Sequence, residues 1–250
     1  MAEEWFQNEN FWLEYGPIMF DEQHWAEAKG IAQAVCSLAG IKAGSSVLDV
    51  CCGPGRISVE LALLGMNVTG VDITQPFLDA AQESASDENV RIKTLNQDMR
   101  TFKSPDGILY DAAVNLYNSF GYCDSIDDDR KILTSVFNSL KDGGTFIIEC
   151  ISRETAILNF TPGEWFERAG MTVLTDFGVV GAWEGLRSRW ILIDKDGRRI
   201  EHEFIQRLYS AVELKDILLE TGFSDVRIYG GYDLRPYDQT AQTMVIKANK

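Results

Sequence analysis

Short apolar runs alternate along this chain with stretches of helical spacing. Residues 46–51 form an apolar run of strand length, a CGPGR turn follows, and 57–64 carries helical spacing that stops at Gly65. A second run covers 67–71, and a helix starts near Thr74 with Pro76 in its first turn, where the missing N–H of proline is harmless. Further strands are predicted at 90–96, 110–116 and 144–150, with a helix at 127–140. Strands alternating with helices predict a parallel sheet covered on both faces.

The rhythm breaks after Cys150. Residues 171–177, 183–194 and 198–209 read as successive strands, the last two joined by a hairpin turn at Asp194-Lys195-Asp196-Gly197. They predict an antiparallel platform inserted after the fifth strand. Ser210 and Glu213 then form a capping box that opens a new helix. Runs at 224–229 and 243–248 close the sheet, and the loop between them holds no helix, so the two pair antiparallel. At the other end, 24–39 reads as a helix stopped by Gly40, and Trp5, Phe6, Phe11, Trp12, Tyr15, Phe20 and Trp25 mark a packed segment. The resulting division is a cap over 1–40, a main α/β domain from 41–150 and 210–250, and the inserted platform over 151–209.

Composition narrows the partners. The chain has 250 residues, 45% of them hydrophobic, enough for a sizeable core, and a net charge of −15 that repels polyphosphate and anionic lipid. Nucleic acid and membrane surfaces are therefore not expected partners. No apolar run reaches the roughly 20 residues of a membrane span, and the acidic start MAEEWFQNEN is unlike a signal peptide. The five cysteines are odd in number, lack CxxC spacing and accompany two distant histidines, which argues against a disulfide framework and a zinc site and suits a reducing cytoplasm.

The candidate chemistry gathers at strand ends. VLDVCCGPGR lies at a strand-to-helix turn, where open α/β sheets bind ligands. Gly53 and Gly55 let a ligand approach the backbone, and the next helix offers unpaired N–H groups. Asp72 ends the second strand and is placed to accept ribose hydroxyls. Asp98 follows the third, suited to an adenine amine, with Met99 packing on the ring. A dinucleotide fingerprint would require a third glycine, which is absent after Arg56-Ile57-Ser58. Asp49 would repel a pyrophosphate and suits a cation, such as the amino group of a methionine moiety.

These motifs resemble the class I S-adenosylmethionine-dependent methyltransferases of the small-molecule, UbiE-like type. The family's D/E-x-G-x-G-x-G motif runs here from Asp49 to Gly55, with Cys51 replacing the first glycine. The resemblance covers roughly 35–150 and 210–248. It implies a Rossmann-like α/β sheet of order 3-2-1-4-5-7-6 with strand seven antiparallel, the N-terminal segment and the insertion acting as caps. It implies S-adenosylmethionine as cofactor, S-adenosylhomocysteine as product and no metal. The implied cofactor contacts are Tyr15, Asp49, Cys51, Gly53, Gly55, Asp72, Ile73, Asp98, Met99, Asn115 and Leu116. NLYNSFGY, residues 115–122, matches the stretch that lines the substrate entrance. With the caps, it makes Trp12, Tyr117, Asn118, Phe120, Tyr122, Trp183 and Arg187 the substrate-binding candidates.

The implied reaction is in-line transfer of methyl from a sulfonium to an N, O or C acceptor. The protein's task is alignment and exclusion of water. A hydroxyl acceptor needs a general base, and the candidates are His24, Glu149 and His202. The expected partner is a small-molecule methyl acceptor, a homodimer staying open. The rival readings are an RNA-modifying methyltransferase, opposed by the acidic charge, and a non-catalytic binder of the same cofactor or its product.

Overall fold

The computed structural model describes residues 4–250, so the expectations that fall on Met1 to Glu3 lie outside the described residues. In chain order the elements are α1 (Glu9–Met19), α2 (Glu22–Ala39), β1 (Ser46–Val50), α3 (Arg56–Leu63), β2 (Asn67–Asp72), α4 (Gln75–Asp87), β3 (Lys93–Asn96), β4 (Tyr110–Asn115), α5 (Ile126–Ser139) and β5 (Leu140–Cys150). There follow α6 (Arg153–Leu158), β6 (Gly163–Arg168), β7 (Met171–Val180), β8 (Gly185–Ile193), β9 (Arg199–Arg207), α7 (Ala211–Thr221), β10 (Ser224–Tyr229) and β11 (Met244–Asn249).

Seven strands make one sheet of order β10-β11-β5-β4-β1-β2-β3. β1 pairs parallel with β2 and β4, while β11 runs antiparallel between β5 and β10. This is the order and the single reversed strand implied by the resemblance. Side chains alternate across β1: Val47 faces a layer built from α2, α3 and α4, and Leu48 and Val50 face α5 and α7. Helix ends follow the sequence signals. Asp21 caps α2 by accepting from the His24 amide at 3.0 Å, Gly40 ends it in the left-handed region, and Ser210 and Glu213 form the expected capping box on α7. Among the described residues no helix is long and apolar enough to cross a membrane.

The insertion forms a second, antiparallel sheet of order β6-β7-β8-β9. Its hairpin turn is where expected, with Asp194 Oδ1 accepting from the amides of Asp196 and Arg198, both at 2.9 Å. β6 and α6 were not expected from the sequence, because the charged edges of GEWFER and RETAIL resemble a loop. β3 is shorter than expected, since only Lys93–Asn96 pair with β2 and the preceding apolar residues sit in the turn after α4. α1 docks on the inner face of this sheet: Phe11, Tyr15 and Ile18 pack with Val173 and Leu192, and the Tyr15 hydroxyl donates to the Trp190 carbonyl at 2.6 Å.

α3 and α4 meet closely at Gly55, whose φ is +81° and whose added Cβ would fall 2.6 Å from the Ala81 Cβ. Gly55→Ala combines left-handed strain with overpacking and is expected to lower stability by about 2–4 kcal/mol in urea unfolding. Gly40→Ala, at φ +69° with open space around it, carries the strain alone and is expected to cost about 1–2 kcal/mol. Equal losses at the two positions would remove the packing contribution.

Candidate active site

The sheet reverses its direction of growth between β1 and β4, and the crevice outside their carboxyl ends is the natural place for a ligand. Residues 51–55 bend sharply there, with Cys51, Gly53 and Gly55 all at positive φ. The bend is held from β2: the Gly53 amide donates to Asp72 Oδ2 and the Thr74 amide to Oδ1, both at 2.9 Å. Burial raises the Asp72 carboxyl, against these two donors. Each oxygen keeps a lone pair, so two adjacent hydroxyls can still donate to it.

Asp49 lies beneath the bend, 4% exposed, and accepts from the Ser58 hydroxyl at 2.7 Å. Burial pushes its carboxyl up to about 7; Asp72 adds to the rise, and Ser58 and Arg56 oppose it. At the end of β3 the Asp98 carboxylate takes the Nε of Arg100 at 2.9 Å and its Nη2 at 2.6 Å, while Arg100 also reaches Glu4. Burial works to raise Asp98, but Arg100 holds it below the usual carboxylate range.

One cavity of about 680 Å³ joins these groups to the inserted sheet. Asp49, Cys51, Gly53, Asp72, Ile73, Asp98, Met99 and Leu116 line its floor, Trp12, Tyr117, Asn118 and Tyr122 its middle, and Phe177, Ser188, Trp190, Phe204 and Gln206 its far wall. The loop after β4 is hydrogen-bonded to the inserted sheet. Tyr117 and Asn118 both have positive φ, the Gln206 amide group donates to the carbonyls of Asn118 (3.1 Å) and Phe120 (2.9 Å), and the Asn118 amide donates to Gln206 Oε1 at 2.8 Å.

Several expected residues stand elsewhere. Tyr15 is fully buried between α1 and β8–β9 and serves packing. Gly55 faces α4, and Asn115 donates to the Val50 carbonyl at 3.0 Å, tying β4 to β1. Phe120 is buried beside Tyr209. Trp183 packs on Phe160, and Arg187 lies on the outer face of its sheet between Asp176 and Glu203, because only the even positions of β8 point inward.

Two of the three base candidates stand away from the cavity. Glu149 accepts from the Tyr117 amide at 2.7 Å and from the Thr243 hydroxyl, so it anchors the strained loop outside the cavity. His202 is engaged with Glu14 at 2.9 Å and with the ring of Phe11, behind the cavity wall. His24 does line the cavity, with Nδ1 2.5 Å from Asp21 Oδ1.

Arg56, Phe20, Phe77, Phe204 and Gln206 line the cavity without having been expected there. For Phe204 and Gln206 the signal was the period-two alternation of EFIQR. For Arg56 it was the position next to Gly55. Phe20, at the end of α1, and Phe77, in α4, carried no local signal. Among the described residues no group of three or more His, Cys, Asp or Glu is arranged to hold a metal ion.

Residues 47–144 match the family described as "Methyltransferase domain". The putative methyltransferase YqeM of Bacillus subtilis is 37% identical over 103 residues, 41% of each chain. The matched stretch spans 41%, 35% and 44% of the first three curated relatives, less than half of each. Among solved structures, an S-adenosylmethionine-dependent methyltransferase from Clostridium acetobutylicum shares the fold with a TM-score of 0.78 at 16% identity, over 96% of this chain and 97% of that one. CalS10, an amino pentose methyltransferase from Micromonospora echinaspora solved with S-adenosylmethionine bound, reaches 0.68 at 19% identity over 96% and 97%.

Two outcomes follow from the geometry. Glu149→Ala strands the Tyr117 amide and is expected to lower stability by about 1–3 kcal/mol, read as a shift of the urea midpoint at constant m-value. Asp49 has a carboxyl raised from 3.8 to about 7, so the folded state holds the proton more tightly than the unfolded one. Its contribution is full below about pH 4 and is lost as pH rises through about 7, a change of up to about 4 kcal/mol. Asp49→Asn is expected to flatten that part of the stability–pH curve relative to the wild type. Parallel curves for the two proteins would contradict the raised carboxyl.

Proposed function

We propose that this chain, whose residues 47–144 match the family described as "Methyltransferase domain", transfers a methyl group from S-adenosylmethionine to a small molecule held between the main sheet and the inserted one. The observation that carries the reading is the single cavity running from Asp72 and Asp98 to Trp190 and Phe204. In this reading residues 41–150 and 210–250 carry the cofactor, and 4–40 and 151–209 cover it.

The residues present fit the cofactor. Asp72, with a free lone pair on each oxygen, accepts the ribose hydroxyls, and Met99 offers a polarisable surface to a flat ring beside Ile73. Asp49 supplies the negative charge for an ammonium group. The cofactor supplies a methyl carbon on a positively charged sulfur, open to in-line displacement. The chain then has three tasks: to orient, to exclude water and to surround a cation. Trp12 and Tyr122 stand at the middle of the cavity, where aromatic faces stabilise positive charge. The loop pinned by Gln206 fixes the acceptor's approach, so that alignment costs no reordering during transfer.

The far wall is mainly aromatic, interrupted by Ser188 and Gln206, which suits an acceptor with a substantial apolar body. An acceptor that must lose a proton has His24 to receive it. An Nδ1–H donated to Asp21 leaves Nε2 with its lone pair, and Asp21 is itself held by Arg168 at 3.2 Å. Similar structures named for N-methyl transfer, the sugar N-methyltransferase KedS8 and the glycopeptide N-methyltransferase MtfA, support trying amines first.

S-adenosylhomocysteine is expected to raise the melting temperature by mass action. Asp72→Ala is expected to weaken its binding by about 1–3 kcal/mol in calorimetry. No thermal shift at millimolar ligand, or an unchanged affinity in the variant, would overturn the assignment of this site. Release of S-adenosylhomocysteine across a panel of small amines, phenols and thiols then identifies the acceptor atom.

A further inference from the structure

Arg56 is 4% exposed and lines the cavity, yet no carboxylate lies within salt-bridge distance of it among the described residues. The contrast with other arginines is plain. Arg100, Arg153, Arg168 and Arg207 are each less buried, and each faces an acid: Asp98 and Glu4, Glu213, Asp21 and Asp129 respectively. Arg56 instead donates from Nη1 to the His24 carbonyl at 2.7 Å, and its guanidinium carbon stands 3.9 Å from the centre of the Tyr117 ring and 5.3 Å from that of Phe20. A guanidinium has five N–H donors, and this set leaves most of them without an anionic partner. A ring face compensates a buried cation only in part, because the desolvation of an unpaired charge is the larger effect.

The charge around the bend is also divided. Asp49 lies under β1's end and Arg56 opens α3, immediately after the left-handed Gly55 that caps the helix without a side-chain bond. A cavity wall with a buried carboxyl group and a buried, unpaired cation on either side of one bend is complementary to a zwitterion, whose ammonium favours the ionised form of that carboxyl. On the reading given above, the methionine end of the cofactor is such a group.

We propose that Arg56 is the receptor for the α-carboxylate of the cofactor, with Asp49 facing the α-ammonium. The carboxylate completes the coordination of Arg56 and, through the His24 carbonyl, ties the start of α2 to the occupied site. The proposal rests on the cofactor assignment made above.

Calorimetry on the full chain with two probes separates the two ideas: S-adenosylhomocysteine, and its decarboxylated analogue, which keeps the adenosine, sulfur and amine. The wild type is expected to bind the decarboxylated probe about 10- to 100-fold more weakly, the range of a hydrogen bond between charged groups. Arg56→Gln is expected to lose the same factor for S-adenosylhomocysteine and to bind the analogue as the wild type does; Arg56→Lys recovers part of the loss. Equal affinity of the wild type for both probes overturns the proposal, even if the variant fails to fold. An equal loss for both probes in Arg56→Gln also overturns it, as does an unchanged affinity accompanied by a raised KM for a carboxylate-bearing acceptor. A wild type that binds neither probe instead sinks the cofactor assignment itself.

Discussion

The amide of Gly53 donates to the carboxylate of Asp72, and the geometry of the site is organised around that contact. It joins the bend after β1 to the tip of β2, so the two strands present their ends as one rigid rim. The same carboxylate receives Thr74 and so sets where α4 begins. The bend must follow a backbone path with positive φ at positions 51, 53 and 55, and glycine accepts that path most readily. With the bend fixed, Asp49 and Asp72 are held side by side in a poorly solvated pocket, and burial raises both carboxyls. Such a pocket favours a partner bearing positive charge and hydroxyl donors over one bearing phosphates.

The rest of the molecule builds a second wall opposite that rim. α1 lies on the inserted sheet through Phe11, Tyr15 and Ile18, and the buried hydroxyl of Tyr15 is bonded to both β8 and β9. This rigid block carries Trp12, Trp190 and Phe204 to the cavity. Gln206 connects it to the loop after β4, whose strained residues Tyr117 and Asn118 are also pinned by Glu149. Polar side chains that might have been taken for reactive groups are therefore structural fasteners. Each has lone pairs or donors occupied by backbone groups or by other side chains, which is how buried polar atoms are kept in folded proteins.

The alternation of strands and helices, the antiparallel pairing of the last two strands and the capped helices were legible in the sequence, because period-two and helical spacing, glycine stops and cap residues act over a few neighbouring residues; the strand order came from the resemblance to class I methyltransferases. The same local logic marked the bend, Asp49, Asp72 and Asp98, since a strand end followed by glycines is a place as well as a pattern. Short elements escaped it. β6 and α6 have charged residues at their edges and no continuous apolar run of strand or helix length, and their existence depends on pairing with β7 and on packing across the insertion.

By itself, then, the sequence determined the α/β sheet, the acidic glycine-rich bend and the charge that disfavours polyanionic partners. All of these depend on backbone preferences and composition that no distant contact can alter. Which side chains share the cavity was decided only by the tertiary structure. Tyr15, Glu149, His202 and Arg187 were plausible by type, but packing turned the first three into anchors and strand pleating turned Arg187 outward. Arg56, Phe20, Phe204 and Gln206 entered the cavity for the converse reason. The direction of a side chain is set by the element that carries it and the neighbour it meets, and those neighbours lie up to 188 positions away in the chain, as Glu14 and His202 do.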